Sequence, residues 1–105
     1  MNLKIVTVLV MAALLEVGGD ALVRGGLQRK GAGLLLAGSL TLAAYGFLVN
    51  MTQLDFSRLM GLYIVVFFLV SQAVALLFFR EPLGRGVMVG GTIVVLGGVV
   101  MTVLG

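Results

Sequence analysis

The 105-residue sequence predicts an all-α membrane protein, four transmembrane helices joined by short loops and completed as a dimeric bundle. Three observations carry that expectation. The chain is 61% hydrophobic and 10% charged, with a mean hydropathy of +1.25, far outside the composition of ordinary soluble domains. Four apolar segments are each long enough to cross a bilayer, and short polar segments separate them. Alternation of apolar and polar residues is missing, and four strands cannot close a barrel, so helices are the one way to satisfy the backbone in lipid.

The first segment runs from about Ile5 to Val23, and the second from about Ala32 to Val49. The third runs from about Leu59 to Phe79, and the fourth from about Val87 to Leu104. Roughly 20 residues at about 1.5 Å each reach about 30 Å, the thickness of one hydrocarbon core. Lys4 followed by Ile5 to Leu15 looks at first like a signal peptide, but Glu16 follows where a small-residue cleavage site would stand, so this stretch reads as the first span. The connections Arg24 to Gly31, Asn50 to Arg58 and Arg80 to Gly86 are short, and the last holds the sole proline, Pro82. Consecutive helices are therefore expected to be antiparallel neighbours within a single transmembrane domain, residues 1–105.

Four spans place both termini on one side. Lys4 and Arg58 then lie on that side, while Arg24, Arg29, Lys30, Arg80 and Arg85 lie opposite. Five positive residues against two favour loops one and three in the cytoplasm and the termini outside a cell (inner) membrane. The net charge of +3 is thus a loop property, and nucleic acid is not an expected partner. Cysteine and histidine are both absent, which removes disulfides, thiol chemistry, haem and the usual zinc or copper sites. Neither metal nor cofactor is expected. With no nucleophile and base pair and no phosphate-cradling loop, an enzyme is not expected either.

Glu16 is the residue that costs most. It sits about 11 residues into the first apolar segment, where an ionised carboxylate costs roughly 2.5 kcal/mol or more unless paired, hydrated or protonated. Low-dielectric surroundings disfavour the charged form of any carboxyl, so a proton and a cation compete for such a group. Asp20 stacks one turn along the same face, and Arg24 continues the line. Two readings stand for Asp20: it adds negative charge to a cation site, or it pairs with Arg24 near the interface, the reading slightly preferred.

In the third segment Tyr63, Phe67 and Ser71 recur at four-residue steps, with Phe68 and Gln72 one position round. Aromatic walls hold organic cations through their ring faces, and the Tyr63 hydroxyl is a candidate partner for Glu16. Tyr63 and Gln72 need partners in lipid; the phenylalanines read equally well as packing residues. In the second segment Gly38, Thr41 and Tyr45 share a face and either line the same cavity or permit close packing. The fourth segment carries the pairs Gly90-Gly91 and Gly97-Gly98, a stripe for close helix approach and a candidate dimer interface.

Taken together, these residues resemble the small multidrug resistance family of bacterial exporters, within the drug/metabolite transporter superfamily, as a divergent member. The likeness covers the whole chain. It rests on the four-span length, the run Leu15-Glu16-Val17-Gly18-Gly19 with a basic Arg24, the turn Phe79-Arg80-Glu81-Pro82-Leu83, and the spacing of Gly90 and Gly97. The resemblance implies an antiparallel, dual-topology homodimer in which Glu16 of each chain binds protons and cationic substrates alternately, with the fourth helix as dimer contact. The chain departs from the family pattern at Tyr63, where a tryptophan is common, at Met60, where a tyrosine is, at Asp20, usually neutral, and over Leu54 to Arg58, which replaces a proline- and glycine-containing stretch.

The leading expectation is therefore a secondary transporter that exports small organic cations, of drug, quaternary ammonium, guanidinium or polyamine type, in exchange for protons. Glu16, Asp20, Tyr63, Gln72, Thr41, Tyr45 and Ser71 are its candidate binding residues. The charge bias also allows pairing with an oppositely oriented homologue. The rival readings are a flippase-like or accessory subunit for a polar lipid, and a non-transporting scaffold.

Overall fold

In lipid each span must satisfy its own backbone hydrogen bonds, and the computed structural model, which describes residues 3–104, does so with four α-helices. They are α1 (Leu3–Arg29), α2 (Ala32–Asn50), α3 (Phe56–Leu77) and α4 (Arg85–Leu104). All four are long and apolar enough to cross a membrane, and the chain is a multi-pass membrane protein with short loops. Hydroxyls inside the spans are satisfied locally: Thr7, Ser39, Thr41, Thr92 and Thr102 each donate to the carbonyl four residues back.

α1 runs past the apolar stretch by nearly two turns, to Arg29 rather than Val23. The apolar pattern stops at the first charge, but the helical backbone does not, because the interfacial residues Arg24 to Arg29 continue the same hydrogen-bond ladder. Loop one shrinks to Lys30 and Gly31. There the Gly31 N–H donates to the Gly26 carbonyl at 2.9 Å, and Lys30 adopts a left-handed φ of 52°. Beyond the end of α3 a wider turn also passes through a left-handed basic residue: the Glu81 N–H donates to the Ala75 carbonyl at 3.0 Å, with Arg80 at φ 54°. A left-handed non-glycine residue costs of order 1 kcal/mol. Here each places a basic side chain beside the negative end of a helix, which offsets part of that cost.

α1 and α2 approach each other backbone to backbone. A Cβ on Gly38 would lie 2.8 Å from the Val23 backbone nitrogen and 2.9 Å from the Gly19 carbonyl oxygen, and one on Gly26 would lie 2.9 Å from the Leu35 nitrogen. Only glycine lets these two backbones touch. α1 also packs on α3, and among the described residues α4 packs on α3 alone. The α4 glycines divide by face, because neighbouring helical residues point about 100° apart. Gly91 faces the Phe68 ring and Gly98 faces Val65, both within the same chain, whereas Gly90 and Gly97 have nothing within 4 Å. Of the four residues expected at a dimer contact, Gly91 and Gly98 are thus occupied by α3, and Gly90 and Gly97 lie on the outer face.

The core gathers at one end. Leu9, Ala12 and Ala13 of α1, Val49 of α2 and Leu59, Leu62 and Tyr63 of α3 form one buried cluster at the end that holds loop two. α1 and α3 run parallel, and away from this cluster the space between them opens.

Candidate functional site

Glu16 sits where the packed core ends. One turn before it, Ala12 and Ala13 are fully buried; one turn after it, Asp20 is exposed. Glu16 itself is half-buried and points toward α3, where the Tyr63 hydroxyl donates to its Oε1 at 2.8 Å. This is the contact the sequence nominates. Tyr63 is 5% exposed, so its hydroxyl needs an acceptor inside the bundle, and the carboxylate supplies one.

The Tyr63 ring is held on two sides. Tyr45 from α2 stacks on it with ring centroids 5.6 Å apart at an interplanar angle of 27°, and Phe67, one turn along α3, tilts against it at 6.0 Å and 40°. Three helices therefore contribute to one cluster: α1 the carboxylate, α3 its hydrogen-bond donor, α2 the ring that fixes that donor. Tyr45 also lies within electrostatic reach of the Glu16 carboxylate, so two tyrosines surround the group.

From this cluster a cleft of about 830 Å³ opens between α1 and α3 toward loops one and three. Val17 and Phe67 form its inner part; Asp20, Arg24 and Ser71 follow; Gln28, Arg29, Phe79 and Glu81 lie at its mouth. Phe67 belongs to both places, so an aromatic wall runs from the cleft to the Glu16 hydrogen bond. Asp20 and Arg24 both line the cleft, and among the described residues no ion pair joins them. The preferred pairing of Asp20 with Arg24 is therefore not formed. Both side chains reach the open space, where solvent competes for each charge.

The remaining candidates separate. Ser71 lines the cleft while donating to the Phe68 carbonyl at 2.8 Å, and Thr41 donates to the Ala37 carbonyl at 2.7 Å. Gln72 lies elsewhere, in an apolar groove of about 400 Å³ between α3 and α4 with Phe68, Met88 and Thr92. The one-position offset from Ser71 turns it to the other side of α3. Gln28, Arg29, Phe79 and Glu81 escape a reading of the spans. Their signal was the charged turn itself, and only the continuation of α1 to Arg29 and the return of loop three bring them to one cleft mouth.

A family model described as "Uncharacterised BCR, YnfA/UPF0060 family" matches residues 2–105, nearly the full chain. No curated protein and no solved structure matches.

Proposed function

We propose that this chain, which belongs to the YnfA/UPF0060 family of small four-helix membrane proteins, is a secondary transporter that exchanges protons for small organic cations at Glu16. The observation that carries the reading is the Tyr63 to Glu16 hydrogen bond of 2.8 Å, next to Phe67, which packs on the Tyr63 ring and lines the cleft. An intramembrane carboxylate with an oriented oxygen, a neighbouring aromatic wall and a cleft beside it has the parts needed to take up a proton and a cation by turns. The resemblance to small multidrug resistance exporters at Leu15 to Gly19, Arg24 and Phe79 to Leu83 supports the same conclusion.

The working unit is a dimer. One chain buries only a small core and leaves the large apolar side chains of α4 outside, so a gated path needs a second copy. An antiparallel homodimer in the cell membrane would exchange its two inverted conformations to alternate access, and a homologue of opposite orientation would serve equally. A tag at the C-terminus tests this: labelling from both sides of the membrane is expected for the inverted homodimer, and labelling from one side alone refutes it.

Proton-driven uptake of an organic cation into vesicles containing the purified chain is the direct test of transport; no uptake under an imposed pH gradient refutes it. Tyr63→Phe keeps the ring stack and removes the hydroxyl. A hydrogen bond to a charged group contributes roughly 1.5–3 kcal/mol, so uptake should fall by about tenfold or more while the chain still folds. Uptake unchanged in this variant would remove the hydroxyl from the mechanism.

A further inference from the structure

The cleft presents charges of both signs. Asp20 and Arg24 stand one turn apart on α1, and Arg29 and Glu81 form a second set of opposite charges at the mouth. Two guanidinium groups along the path repel the cationic end of a ligand and attract an anionic one. Four charged side chains facing one cavity would ordinarily neutralise each other in pairs, yet no ion pair joins them among the described residues. All four are exposed, so a ligand that enters the cleft meets them unpaired and displaces only water.

From this placement we infer that the cleft selects a zwitterion: a molecule whose ammonium group is received by Asp20 while its anionic group is held by Arg24. The inference rests on the proposed transport reading and specifies its substrate class. The spacing defines the ligand. Four residues of helix separate the two side chains by about 6 Å along the axis, the scale of an amine and a carboxylate joined by three methylenes. The order defines its direction. Asp20 lies on the Glu16 side of Arg24, so the ammonium leads toward the Glu16 carboxylate and the anion trails toward the mouth, where Arg29 offers a second fork of donors. Phe67 and Val74 supply apolar wall for the methylenes between the charged ends.

Three amines of one chain length separate this from plain cation binding: 4-aminobutyrate, a zwitterion; butylamine, a monocation; and 1,4-diaminobutane, a dication. Calorimetric titration of the chain in lipid nanodiscs is expected to show 4-aminobutyrate binding about tenfold tighter than either amine, the ratio that one charge-assisted hydrogen bond gives. Arg24→Gln should erase that preference by weakening 4-aminobutyrate and, with the repulsion removed, tightening butylamine, whose continued binding also shows that the variant is folded. Asp20→Asn should weaken all three. Equal binding of the three ligands, an unchanged preference in Arg24→Gln, or no binding of any of them would overturn the inference. Repeating the titration on Glu16→Gln keeps the two proposals apart: a preference for the zwitterion that persists there, alongside proton-driven uptake that also persists, sinks the transport reading and leaves the cleft's selectivity standing.

Discussion

Replacing Glu16 by glutamine is expected to abolish uptake driven by a pH gradient in reconstituted vesicles, a loss of about 10²-fold or more. The substitution is nearly isosteric. Its amide oxygen can still accept from the Tyr63 hydroxyl at the 2.8 Å position, and the stacking of Tyr45 and Phe67 on the Tyr63 ring does not depend on the charge. Structure should therefore survive. What is lost is the only group in the cluster that can carry a negative charge to a cation and then trade it for a proton. Removing one partner from a buried charged pair costs roughly 3–5 kcal/mol, which corresponds to more than 10²-fold in affinity. Asp20→Asn should behave differently. Asp20 is exposed in the cleft, where water competes with any ligand, so its loss should change apparent affinity and leave proton coupling intact. Gradient-driven uptake retained by Glu16→Gln would sink the proposed exchange.

The spans and the carboxylate were legible because lipid imposes both. An apolar run of about 20 residues has few structural options in a bilayer, and a glutamate within one has few structural excuses. The Tyr63 contact was legible for the same reason: a hydroxyl in an apolar helix must find an acceptor, and Glu16 is an acceptor inside another span. Face assignment was harder. Ser71 and Gln72 differ by one position, yet Ser71 lines the cleft and Gln72 the groove toward α4, because a choice between adjacent helical residues depends on which neighbour the helix packs against. The glycine pairs of α4 show the same limit, with Gly91 and Gly98 turned to α3 and Gly90 and Gly97 turned away. Periodicity gives a stripe without naming its partner. The extension of α1 to Arg29 was hidden because hydropathy reports the lipid boundary, and a helix ends where its carbonyls are capped, here by the Gly31 N–H and a left-handed Lys30.

Gly38→Ala is expected to destabilise the chain by about 1–3 kcal/mol, and Gly38→Leu by more, the cost of overpacking a close contact. The added Cβ would meet the Val23 backbone nitrogen at 2.8 Å and the Gly19 carbonyl oxygen at 2.9 Å. These are main-chain atoms, so no rotamer change relieves them. α1 and α2 must move apart. Gly46, two turns further along α2, is the control, because a Cβ there has nothing within 4 Å. Helix propensity alone makes Gly46→Ala neutral or stabilising by up to about 1 kcal/mol. The two variants thus make the same chemical change on one helix with opposite expected signs, and detergent-unfolding midpoints compare them directly. Separation of α1 from α2 also has a functional reading: α1 carries Glu16, and α2 carries the Tyr45 ring stacked on its hydrogen-bond donor. Gly38→Ala should therefore lower gradient-driven uptake as well as stability, and Gly46→Ala should leave uptake unchanged. Equal midpoints for the two variants would mean that the spacing of α1 and α2 is set elsewhere than at Gly38.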